Sequence, residues 1–106
     1  MQIQWTEEDA LYIATRSNRY PGATDVEEGW THEVLADPRL LTVEPYPASR
    51  MGASAFIGWS AGAGRVLLVL AYRDLDGELH GLNAWPASGR DLATYLERSG
   101  DGEEEA

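Results

Sequence analysis

The chain has no cysteine and no lysine, a single phenylalanine, and no apolar stretch longer than Val66–Tyr72. Each absence excludes something. Without cysteine there is no disulfide, no thiolate nucleophile and no cysteine-ligated zinc, and a small chain without such staples points to a reducing cytoplasm. The longest apolar run is far too short to span a bilayer, and the start Met1-Gln2-Ile3-Gln4-Trp5 has neither the basic nor the apolar segment of a signal peptide. Eight arginines face 18 acids, for a net charge of -10, so the chain as a whole gives no support to non-specific nucleic-acid binding.

What is present fits one domain. The length of 106 residues allows one modest core, expected over residues 1–100, with 101–106 as an acidic disordered tail. Charge is uneven along it: the first 37 residues hold eight acids and two arginines, whereas residues 38–100 hold six of each. A local basic groove therefore remains open to the second half.

Thr6 with Asp9 three positions on reads as the cap of a helix that runs to about Asn18, where Tyr20-Pro21-Gly22 ends it. Thr24-Asp25-Val26-Glu27 has the form of a capping box, and Val26, Trp30 and Val34 share one stripe of a second helix that closes at Asp37-Pro38. Leu40–Glu44 has strand character, and the prolines at 45 and 47 make it an edge strand. Alternation from Ser54, the small residues 60–64, the doubly apolar Val66–Tyr72, the turn Asp74–Gly77 and the return from Glu78 to Trp85 compose an antiparallel meander. Ser88 and Asp91, followed by Leu92, Tyr95 and Leu96, predict a C-terminal helix that stops near Gly100. The fold class is thus α+β: about four meander strands, with a short strand at Gln2–Trp5, packed by two N-terminal helices and one C-terminal helix.

Chemistry-bearing residues are few. His80 on the last strand can act as acid or base near neutral pH, and Arg65 and Arg73 bracket the central strand as phosphate binders. Arg19 and Arg50 on loops, with Asn83 and Trp85, are the candidate substrate contacts, and Trp59 and Tyr72 add to an aromatic surface around Trp85. Each has an ordinary alternative: a strand histidine is commonly a cross-strand partner, strand-end arginines pair with acids, and tryptophans fill cores. His32 reads as solvated. No metal and no cofactor are expected, because His32 and His80 share no ligand spacing and the Asp74–Asp76 turn lacks the remaining ligands of a calcium loop. No serine sits in a nucleophile elbow.

Four local patterns arrive in order: Trp5-Thr6, Leu35-Ala36-Asp37-Pro38, Ile57-Gly58-Trp59-Ser60 before Gly64-Arg65-Val66-Leu67, and Asn83-Ala84-Trp85-Pro86-Ala87. Together they resemble the BrnT-type toxin family of bacterial toxin-antitoxin systems, over most of residues 2–98. The resemblance implies a RelE-like ribonuclease fold, a metal-independent endoribonuclease activity on RNA, neutralisation by an antitoxin protein and an oligomeric complex. If that activity is present, the groups available for catalysis in this chain are His80, Arg65 and Arg73. Asn18-Arg19-Tyr20-Pro21 stands where members carry a basic pair, and Asn83-Ala84-Trp85 where an arginine is expected, so the catalytic positions are partly lost. The alternative is a non-enzymatic protein-interaction module on the same scaffold.

Overall fold

The computed structural model describes residues 1–105, with side chains for 1–98. The acidic tail expected over 101–106 lies outside the residues described in full. In chain order the elements are β1 (Ile3–Gln4), α1 (Glu7–Ala14), α2 (Arg16–Arg19), α3 (Glu28–Ala36), β2 (Leu41–Val43), β3 (Ser54–Ser60), β4 (Arg65–Arg73), β5 (Leu79–Pro86) and α4 (Gly89–Glu105). One mixed sheet has the order β1-β5-β4-β3-β2. β2 to β5 form the antiparallel meander, and β1 adds a fifth, parallel strand at the far edge, pairing only with Leu79 and His80. The doubly apolar β4 lies at the centre of this order, with sheet on both sides and helix on both faces.

Alternation along β3 and β4 sends side chains to two cores. Phe56, Leu67, Val69, Ala71, Leu79 and Ala84 meet Ile13 of α1 and Val34 and Leu35 of α3, together with Val26. Ala55, Ile57, Val66 and Leu68 face the other way, toward Ala87, Leu92 and Tyr95. Two glycines permit the first layer to close. A Cβ on Gly58 would stand 2.8 Å from the Val34 carbonyl oxygen, and one on Gly81 would stand 2.4 Å from the Trp5 indole. The Trp5 indole N–H in turn donates to the buried Thr31 hydroxyl at 2.9 Å.

Two local readings change. Thr6 does cap α1, its hydroxyl accepting the Asp9 amide at 3.0 Å, but the expected single helix to Asn18 divides at Thr15. The Thr15 hydroxyl donates to the Leu11 carbonyl at 2.7 Å, and its backbone leaves helical geometry at φ -125°, so α1 ends there and α2 begins at Arg16. The capping box at Thr24–Glu27 does not form. Asp25 instead accepts the Ser17 amide and hydroxyl at 2.8 and 3.0 Å, Val26 is buried, and α3 begins after Glu27 with no side-chain cap. Tertiary partners outcompete the local cap.

At the C-terminal end of α3, Asp37 ties three elements together. Its carboxylate accepts the Trp59 amide at 2.8 Å, the Tyr95 hydroxyl at 2.6 Å and the Arg39 amide at 2.8 Å. Burial alone would raise its pKa. The Trp59 amide, the Tyr95 hydroxyl and the Arg39 amide and charge more than offset that, so the net shift is downward. No helix among the described residues is long and apolar enough to cross a membrane.

Candidate functional site

The seven candidate residues separate by sheet face. Arg65 and Arg73 share the side of β4 that carries Leu67, Val69 and Ala71, the side covered by α1 and α3. Eight residues of strand put their backbones about 26 Å apart. Each has a local partner. Arg73 forms a two-point contact with Glu44, Nη2 to Oε1 at 2.7 Å and Nε to Oε2 at 3.2 Å, and its guanidinium lies 5.8 Å from the Phe56 ring. That hydrogen bond holds the Glu44 carboxyl below its ordinary pKa, against a small burial cost. Arg65 reaches the Thr24 hydroxyl at 3.4 Å.

His80 is on the opposite face. It stands across from Tyr72, whose ring stacks on the imidazole with centroids 4.9 Å apart and planes 18° from parallel. Its Nε2 lies 2.8 Å from Asp74 Oδ2. The His80 contact first, and the Glu78 and Asp76 amides with it, hold Asp74 below the usual carboxylate range despite some desolvation. Asp74 Oδ1 accepts both amides, at 3.0 and 2.8 Å, which builds the tight 74–78 turn around the carboxylate.

A β-bulge decides what joins His80. Ala71 pairs with Gly81 but Leu70 pairs with Asn83, so Leu82 is the extra residue. Simple alternation would put residues 80 and 83 on opposite faces; the bulge restores Asn83 and Trp85 to the His80 side, opposite Leu70 and Leu68. Trp59, half exposed at 48%, and Tyr72, at 43%, share that face.

Arg16 completes this group, and the sequence reading passed over it. Its Nη1 donates to Asn83 Oδ1 at 2.9 Å, and its guanidinium lies 5.6 Å from the Tyr20 ring and 5.9 Å from the Trp85 ring. Its Nε is buried without a hydrogen-bond partner. Arg16 is the first residue of α2, directly after the break at Thr15, and the shortness of β1 leaves β5 an open edge beyond His80. The only signal in the sequence is a pair of arginines, 16 and 19, straddling a helix end. Arg19 itself turns back on α1, with its guanidinium 4.0 Å from the Tyr12 ring and hydrogen bonds to the Tyr12 carbonyl and, at 3.2 Å, the Thr15 hydroxyl. Arg50 is exposed in the loop before β3.

Two concavities flank the second face. A small cleft of about 120 Å³ is lined by Gln4, Trp5, Thr6, Asp9, Tyr72, His80 and Gly81. A groove of about 400 Å³ runs between β2 and the start of α4, lined by Leu41, Val43, Tyr46, Pro47, Ala48, Arg90, Asp91 and Thr94, and is latched by the Tyr46 hydroxyl donating to Asp91 at 2.7 Å. None of the seven candidates lines this larger groove. Chemically, His80 with Asp74 is a hydrogen-bonded imidazole–carboxylate pair, and Arg16 with Tyr20 and Trp85 is an arginine-aromatic cluster beside the same strand. Arg65 and Arg73 lie across the sheet from both.

No family model matches the chain, and no curated protein matches it.

Proposed function

We propose that this chain is a protein-interaction module, a non-enzymatic relative of the BrnT and RelE type of toxin, which holds a partner protein against the β5 half of its second face. The observation that carries the reading is the cluster of Arg16, Tyr20, Asn83 and Trp85 at the unpaired edge of β5. Arginine, tyrosine and tryptophan are the side chains that most often anchor protein interfaces, and an open strand edge adds backbone donors and acceptors. The net charge of -10 disfavours RNA and favours a partner with a basic surface. Separation of Arg65 and Arg73 from His80 removes the cations that RNA cleavage requires beside its acid and base.

Co-purification with the product of the adjacent reading frame tests this reading. A stable complex is expected with the wild-type chain and loss of it with Trp85→Ala and Arg16→Ala; a complex indifferent to both changes overturns the assignment of the surface.

A second reading, a toxin-type endoribonuclease, is favoured by the bulge that brings His80, Asn83 and Trp85 to one face beside Arg16. In that case His80 serves as the acid or base, Asp74 orients it, and Arg16 takes the role first expected of Arg65 and Arg73. Cleavage of total RNA by purified protein, lost in His80→Ala at an unchanged melting temperature, would establish it over the interaction module. Intact RNA and normal growth on expression would remove it.

A further inference from the structure

The geometry points to a divalent transition-metal site, with zinc as its first-choice ion, built by Asp74, Glu78 and His80 at the β4–β5 turn. This goes beyond the interaction surface proposed above and stands independently of it. Sequence spacing argues against metal when it is searched for paired histidines or a calcium loop, but the hairpin assembles a different donor set. Glu78 immediately precedes β5 and His80 is its second residue, and the turn, closed by the Asp74 amide on the Glu78 carbonyl, returns Asp74 to meet them. One ligand atom from each of the three lies within 4.8 Å of the other two. An ion bonded to three such donors holds them roughly 3.5 Å apart, so a small rotation of the exposed Glu78 side chain closes the set.

The donors are oriented before any ion arrives. Asp74 Oδ1 is committed to the Asp76 and Glu78 amides, which leaves Oδ2 directed at His80. The imidazole is held flat against Tyr72, and Glu78 Oε2 accepts the Gln4 amide N–H at 3.1 Å. Supports of this kind around a ligand set fix its geometry and tune its affinity. One imidazole and two carboxylates suit zinc or manganese better than the all-oxygen shells of calcium and magnesium. Three protein ligands leave a coordination position to solvent, and His80 also lines the 120 Å³ cleft, so that position has room for a small ligand.

Zinc titrated into the chelator-treated full chain by calorimetry is expected to bind one ion per chain. Asp74→Asn and His80→Ala should each weaken binding by at least about tenfold, and Gln4→Ala by less, while His32→Ala, which removes the exposed His32–Glu28 pair, should leave it unchanged. As a readout independent of variant folding, manganese added to the wild-type chain should broaden amide NMR lines around residues 72–80 and Gln4. Absence of zinc binding, binding retained in full by His80→Ala, or broadening centred on Glu28–His32 would each overturn the site.

Discussion

The two faces of the sheet use the same strands to opposite ends. On the first, α3 presses on Gly58 and the Trp5 indole on Gly81 so closely that neither strand position has room for a Cβ, and Phe56, Leu67 and Val69 are wholly excluded from water. On the second, α4 packs chiefly on β3, a 400 Å³ groove remains beside β2, and Trp59, Tyr72 and the Arg16 cluster stay within reach of solvent. A face sealed by helix backbone against glycine has no tolerance for change and no room for a ligand. A face covered by one helix retains surface for recognition. The tightest packing and the exposed aromatic surface thus lie on different faces of one sheet.

Substitutions can break or sharpen that contrast. The largest effect is expected for Phe56→Ala, which opens a cavity in the sealed layer and should cost about 3–5 kcal/mol in chemical denaturation. Gly58→Ala drives a methyl into the Val34 carbonyl and should cost about 1–3 kcal/mol, with the loss recorded as a lower denaturation midpoint at an unchanged slope. Asp37→Asn removes charge-assisted hydrogen bonds that join α3 to β3 and α4, and about 1–2 kcal/mol at neutral pH is the expected loss.

Asp37 also sets a pH dependence, together with Glu44 and Asp74. All three have folded-state pKa values depressed below their unfolded ones. Their contribution is therefore complete above the unfolded values, near 4, and is lost as pH falls through the folded ones. Melting temperature should be flat with respect to these groups from about pH 6 to 5 and drop below about pH 4, and Asp37→Asn should make that drop shallower. The smallest effects belong to the second face and the rim: Trp59→Ala and Arg73→Ala, a half-exposed indole and an exposed ion pair, should each cost less than about 1 kcal/mol. A loss at Trp59 as large as that at Phe56 would mean the second face is as sealed as the first.

Much of the fold was legible because its signals are local. Strand alternation from Ser54, the doubly apolar Val66–Tyr72, the glycine-ended turn at 74–77 and Pro86 mark out β3, β4 and β5 with nearly correct limits, and the prolines after Glu44 identify β2 as an edge. The helix ends were less legible. Thr24–Glu27 has every local feature of a cap, yet Asp25 prefers Ser17 and Val26 prefers the core, since partners eight or more residues away offer more than the helix start does. Of the candidate residues, His80, Asn83 and Trp85 gather on one face only because Leu82 bulges, and nothing in the order Leu79-His80-Gly81-Leu82-Asn83 announces the irregularity. Arg16 was invisible for a related reason: its partners on β5 lie 67 and 69 positions along the chain.

By itself, the sequence determined the class of the protein, a small acidic α+β domain with an antiparallel meander around a doubly apolar central strand. Periodicity, turn chemistry and composition act over a few residues and survive without tertiary context. Only the tertiary structure decided which charges meet. Arg65 and Arg73 went to the side covered by α1 and α3 and to local partners, His80 to Asp74, and Arg16 to Asn83 and Trp85. Face assignment flips with each residue added to a strand, and a helix break turns a side chain to a new direction, so one bulge and one threonine outweigh any reading of residue type alone.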